Sequence, residues 1–208
     1  MMPVMSPETA RLYRTIDYVL PTLPGWCAPE KGKKMAEVIL ENESEVCVEL
    51  GVFGGRSLVA IALALKAQRK GRVFGVDPYT AAAALEGTND PENDAWWRKL
   101  DHEQIHAAAE RVLDDLELSK FAIILRARSQ DASRNWPSID LLHQDSNHSE
   151  EVSCAEVELY APVLKPGGIW IMDDTNWQTT RKAQDKLLAL GFTAQHREES
   201  WAILRKPL

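Results

Sequence analysis

Two stretches of this 208-residue chain run apolar segments into carboxylates. "IDLLHQDSNH" carries Asp145, and "GIWIMDDTNW" carries Asp173 and Asp174. If the two segments form neighbouring strands, their ends lie about 5 Å apart and three carboxyls meet at one spot. Like charges that close raise one another's pKa unless a cation sits among them. Oxygen ligands select a hard divalent cation such as Mg2+ or Ca2+. His148 follows Asp145 by three residues, and an imidazole is a competent base near neutral pH. Asp145 and His148 are therefore the candidate catalytic pair, and Asn147 between them is a candidate for substrate contact. His143, inside the apolar run, is expected to face the core or an adjoining helix and is assigned no chemistry.

A third stretch, "CVELGVFGGRS", passes from an apolar run to Glu49 and then through Gly51, Gly54 and Gly55. A dinucleotide fingerprint would need glycine where Phe53 stands, and a phosphate loop would need a following Gly-Lys-Ser/Thr. Neither pattern is met. Glu49 ends an apolar strand, where a carboxylate is costly unless a partner meets it, and it suits a cationic amine. Ser57, at the start of the next helix, suits a carboxylate. An amino acid that carries an adenosine satisfies both ends.

The elements that must hold these residues alternate. Helical spacing of apolar positions covers 7–23 and 32–42, separated by "PTLPGWCAPEKG", whose prolines and glycines forbid one continuous helix. Strand-like runs at "EVCVEL", "RVFGV", "FAIILR", "IDLLHQ" and "GIWIMD" are then interleaved with helical patterns at 57–69, about 103–117, 150–163 and 178–190. That alternation predicts an α/β fold with a Rossmann-like doubly wound sheet, mostly parallel, preceded by N-terminal helices. "FTAQHREE" and "WAILRKP" predict a closing antiparallel hairpin at one edge. Residues 80–102 break the pattern and are expected to form an irregular lid or substrate loop. A single domain spanning 1–208 is expected, with 1–45 as its leading helical part.

Taken together, these residues resemble the class I S-adenosylmethionine-dependent methyltransferases, in particular the metal-dependent catechol and macrocin-type O-methyltransferase group. "ELGVFGGRS" is similar to the family's first motif, and "VFGVDPY" places Asp77 where the family uses an acid on the ribose hydroxyls. "RARSQDA" resembles the adenine-edge segment, with Ser129, Gln130 and Asp131 in place. "LKPGGIWIMDD" carries a Pro-Gly-Gly turn, Pro166 to Gly168, before the fifth strand, and "APEKG" is similar to the Lys-Gly start of the last leading helix. The resemblance implies a cofactor site of Glu49, Gly51, Phe53, Gly55, Ser57, Asp77, Ser129, Gln130 and Asp145. It implies a metal site of Asp145, Asp173 and Asp174, the last replacing the asparagine of the catechol group. His148 stands where that group has a lysine proposed to take the hydroxyl proton. The implied activity is metal-assisted O-methylation of a small hydroxylated molecule, a phenol, a sugar or a natural-product intermediate, with S-adenosylmethionine and Mg2+ as cofactors. An antibiotic-biosynthesis hydroxylase relative would need an oxidant site, and the sequence offers no two-His-one-carboxylate set for one. A non-catalytic cofactor-binding module would have no need for three crowded acids.

Composition narrows the partners. A net charge of -7 with scattered Lys and Arg disfavours a nucleic-acid partner. The longest apolar run, "LVAIALALK", is about half of a membrane span, and the opening "MMPVMSPETARLYR" lacks a signal-peptide core, so no membrane association is expected. Cys27, Cys47 and Cys154 form no paired motif and fit a reducing cytoplasmic setting. Of seven tryptophans, Trp26, Trp96, Trp97 and Trp177 fall in loops that could wall a planar or apolar pocket, whereas Trp136, Trp170 and Trp201 are expected in the core. A helix ahead of the core fold leaves a homo-oligomer open.

Overall fold

The computed structural model describes residues 6–208; the first five, on which the export expectation partly rests, lie outside it. Two helices lead, α1 (Pro7–Val19) and α2 (Pro29–Glu41), each started by a proline at its first turn. Proline fits there because its missing N–H has no intrahelical partner to lose. A seven-stranded sheet follows in the order β3-β2-β1-β4-β5-β7-β6. Its strands are β1 (Val46–Leu50), β2 (Arg72–Val76), β3 (Ala122–Leu125), β4 (Ile139–Gln144), β5 (Leu164–Met172), β6 (Thr193–Arg197) and β7 (Ala202–Arg205). The first five pair in parallel, while β7 pairs antiparallel with both β5 and β6. The doubly wound sheet, the leading helices and the closing hairpin all match the sequence-based expectation. The fifth strand begins earlier than expected, and the Pro-Gly-Gly segment lies within it rather than before it.

The helices between strands are α3 (Arg56–Gln68), α4 (Ala81–Ala84), α5 (Pro91–Trp97), α6 (His102–Asp115), α7 (Ser129–Ala132), α8 (Glu150–Tyr160) and α9 (Arg181–Ala189). Helix α3 is buried almost along its whole length, from Ser57 to Leu65. It explains why "LVAIALALK" is uniformly apolar: α1, α2 and the sheet cover it from several sides. The insertion 80–102 is more ordered than its sequence suggested. Thr80 and Asp90 cap two short helices there, α4 and α5, by accepting hydrogen bonds from first-turn N–H groups. Among the described residues no helix is long and apolar enough to cross a membrane.

The order reverses between β1 and β4, whose next neighbours lie on opposite sides. In open parallel sheets that reversal opens a crevice beyond the carboxyl ends of the strands. All three sequence motifs end there.

Candidate active site

The glycines after β1 make room first of all for the chain itself. Gly51 has φ 83°, and a Cβ added to it would stand 2.0 Å from the backbone oxygen of Asp145. The residue following β1 therefore lies against the residue following β4, and only glycine permits that approach. At Gly54 a Cβ would meet Pro24, at 2.6 Å from its Cβ, so the loop between α1 and α2 presses on the same turn. Gly55, expected from the sequence at the cofactor, caps α3 in a left-handed conformation and lies outside the lining of the cavity described below. Asp77 pins the turn from β2: one oxygen accepts from the N–H groups of Val52 (3.0 Å) and Phe53 (3.1 Å), the other from Tyr79 N–H (2.7 Å).

A cavity of about 650 Å³ opens beyond these strand ends. Of the site residues singled out from the sequence, Gly51, Phe53, Ser57, Asp77, Ser129, Gln130, Asp145, His148, Asp173 and Asp174 line it. Glu49 does not. It is fully buried behind the wall, where Oε1 accepts from His143 Nδ1 at 2.8 Å and Oε2 has no partner. The sequence led us to expect direct contact between Glu49 and a cofactor amine; in the structure the hydrogen-bond partner of Glu49 is a side chain of this protein, His143. Register explains the pairing. Glu49 and His143 are directly opposite on β1 and β4, each two residues before the backbone contact of Gly51 with Asp145.

His143 and Lys31, neither given a chemical role from sequence, extend this buried network. Lys31, near the start of α2, pairs with Asp173 Oδ2 and lies 3.3 Å from His143 Nε2. His143 Nε2 is also 3.6 Å from Asp173 Oδ2. With Lys31 donating to Nε2, the ring hydrogen sits on Nδ1 and donates to Glu49. Burial works against the Lys31 charge, but Asp173 and Asp145 outweigh it and hold its pKa above normal. Burial alone would likewise raise Asp173, yet the nearby His143 and the paired Lys31 charge hold it well below the usual carboxylate range. Asp145, by contrast, is pushed well above that range, first by burial and then by the charge of Asp173.

The three acids meet as expected but divide between two overlapping groups. Ligand atoms of His143, Asp145 and Asp173 lie within 4.8 Å of one another, and so do those of Asp145, His148 and Asp174. In the second group, His148 Nε2 is 2.8 Å from Asp174 Oδ2, and the edge of His148 meets Trp177 with ring centroids 4.7 Å apart. Burial opposes the His148 charge, but the Asp174 hydrogen bond and the charges of Asp174, Asp173 and Glu156 prevail and raise its pKa. Its Nδ1 is buried without a hydrogen-bond partner. Asp174 itself has φ 51°, a left-handed conformation that Asp and Asn tolerate better than most residues.

Trp26, Trp96, Trp97 and Trp177 line the cavity, as their loop positions suggested. Trp26 stacks on Phe53 (5.2 Å, 30°) and meets Trp96 edge-on (5.4 Å, 66°), so the insertion and the α1–α2 loop share one aromatic wall. Trp136 and Trp170 are core residues, but Trp201 also reaches the cavity, with Lys31 Nζ 5.8 Å from its ring centroid. Asn147 is occupied. Its Nδ2 donates to the carbonyls of Ala83 (3.1 Å) and Ala84 (2.9 Å), and its Oδ1 accepts from Ser149 N–H (2.8 Å), so it anchors the insertion rather than standing free for a substrate.

No curated protein matches the sequence. Solved structures share the fold at low identity. The O-methyltransferase NovP superposes with a TM-score of 0.74 at 13% identity, over 97% of this chain and 100% of its own. The calicheamicin methyltransferase CalS11 gives 0.65 at 17% identity, over 97% and 94%. An O-methyltransferase from Bacillus cereus, in complex with SAH, gives 0.63 at 13% identity, over 99% and 93%. A family described as a methyltransferase domain matches residues 48–175, from β1 to just past the Asp173–Asp174 pair, and the chain belongs to that family.

Proposed function

We propose that this protein transfers the methyl group of S-adenosylmethionine to a hydroxyl of a small molecule, with a divalent cation at the acid cluster. One observation carries the reading: the His148–Asp174 pair stands beside Asp145 on the wall of the cavity that the first-motif turn also lines. The O-methyltransferase neighbours of the same fold support it. So does the start of α3, which has no side-chain cap and offers its first-turn N–H groups and Ser57 to a carboxylate. Asp77 would serve the ribose and the Ser129–Gln130 segment the adenine.

The donor set fits a hard divalent cation. Asp145 and Asp174 supply carboxylates within 4.8 Å of one another, and oxygen donors of that kind suit a hard cation. When bound, the cation supplies a Lewis acid that lowers the pKa of an acceptor hydroxyl. The methyl donor supplies the reactive methyl. The chain's own part is proton handling and positioning. His148, held through Nε2 by Asp174 on the cavity wall, is the chain's candidate proton acceptor, and its buried Nδ1 would have to turn toward the cavity to take the proton. The tryptophan walls exclude water and hold a flat or apolar acceptor body.

The test is methyl transfer to a panel of phenols and sugars, with and without chelator. Chelation is expected to abolish transfer while leaving cofactor binding intact, and Mg2+ to restore it. Transfer that survives exhaustive chelation rejects the metal, and absence of cofactor binding rejects the whole reading.

A further inference from the structure

We infer that Lys31 is a built-in counter-cation for Asp173 that competes with the divalent cation, so that this one lysine sets how tightly the metal is held. The inference rests on the metal-assisted reading above. Three observations carry it. Lys31 is 6% exposed yet lines the cavity, so its ammonium is both withdrawn from water and adjacent to the acids. It lies in the first turn of α2, where the helix dipole disfavours a cation, so the helix itself gives no reason for a lysine there. Its Nζ pairs with Asp173 Oδ2, with His143 Nε2 3.3 Å away and the Trp201 ring on another side.

Asp173 belongs to one of the two potential ligand groups, and Asp145 belongs to both. In the absence of a divalent ion, Lys31 keeps Asp173 compensated and the site assembled. A divalent ion arriving at Asp145 meets an ammonium already bound to the neighbouring carboxylate, and like charges in a poorly hydrated site repel strongly. The metal is therefore steered toward the Asp145–Asp174 side, and its affinity is held below what three free acids would confer. The consequence is a cation that exchanges readily, with the cofactor pocket standing whether or not it is present.

The experiment is Mn2+ titration followed by electron paramagnetic resonance of the free ion, on the parent and on Lys31→Met, with binding of S-adenosylhomocysteine as the check that each is folded. Lys31→Met is expected to bind Mn2+ at least tenfold more tightly while its S-adenosylhomocysteine affinity stays within about threefold of the parent. Adding Asp173→Asn to Lys31→Met should remove that gain. Mn2+ affinity that is unchanged or weaker in a variant that still binds S-adenosylhomocysteine overturns the inference. If Lys31→Met does not fold, Lys31→Gln, which keeps a donor toward Asp173 without the charge, decides by the same comparison. A parent without detectable Mn2+ binding counts against the metal-assisted reading, whereas Mn2+ binding gained on loss of the lysine still upholds the role of Lys31; no binding in either protein overturns both.

Discussion

His148 Nε2 lies 2.8 Å from Asp174 Oδ2, and the other ring nitrogen has no partner. A carboxylate that holds one imidazole nitrogen orients the ring, and in the proposed mechanism the two residues act as one proton-accepting unit. His148→Ala is expected to lower the transfer rate about a hundredfold or more, and Asp174→Asn to lower it as well, with cofactor affinity near that of the parent in both. Single-turnover rates beside calorimetric cofactor binding check this. An unchanged rate in His148→Ala removes the histidine from the mechanism.

The contact of Gly51 with Asp145 makes a second expectation. A methyl group at position 51 would stand 2.0 Å from the Asp145 carbonyl oxygen on a backbone with φ 83°. Gly51→Ala must therefore push β1 and β4 apart at their ends, at a cost of about 2 kcal/mol or more. For a chain of this size that is a fall in melting temperature of roughly 4 to 8 °C. Because the displaced residue is Asp145, cofactor binding should weaken too. Calorimetric melting and cofactor titration of the variant would expose an error here.

Asn147 ties the loop after β4 to the insertion through two hydrogen bonds to the carbonyls of Ala83 and Ala84. Asn147→Ala should cost about 1 kcal/mol of local stability, since two partly buried acceptors lose their donor. Limited proteolysis should then cut within residues 80–102 faster than in the parent, and the Michaelis constant for the acceptor should rise more than the turnover number falls. Equal proteolysis rates would show that the aromatic contacts of Trp96 and Trp97 suffice to hold the insertion.

The thiols offer a test in pH. Burial pushes the Cys27 thiol up to about 12, with the nearby Glu49, Asp173 and Asp145 charges adding to the rise against the opposing pull of Lys31. The unfolded thiol ionises near 8.5. The folded state therefore keeps its proton through a window in which the unfolded state loses one, and the stability contributed by Cys27 is full below about pH 8.5 and declines above it. Iodoacetamide at pH 8.5 should label Cys27 only after denaturation, as read by mass spectrometry of peptides. Rapid labelling of the folded protein would contradict the buried, protonated thiol.

Much of this was legible in the sequence, because it depends on local rules. Alternating apolar runs and helical periods determine a doubly wound sheet, since each segment must bury the face that its own period exposes. Motifs that end strands were legible for the same reason: in a parallel sheet all carboxyl ends lie on one side, so Gly51, Asp77, Asp145 and Asp173 share one edge, and the strand order brings them together. The glycines and tryptophans could likewise be placed near the site from the turns and loops that contain them. Tertiary structure alone decided which charge faces which. Glu49 was read as a ligand for a cofactor amine, but register places His143 opposite it, and that register depends on the whole of β1 and β4. Lys31 lies 142 residues from Asp173 along the chain, and no local pattern links a lysine in the first turn of a helix to a strand-end acid. Asn147 was legible as a polar loop residue, but its anchoring of Ala83 and Ala84 required the insertion to fold back over β4. Periodicity speaks for backbone and burial, which are properties of neighbours in sequence; the sign and state of a buried charge depend on distances across the fold, and those exist only once it has closed.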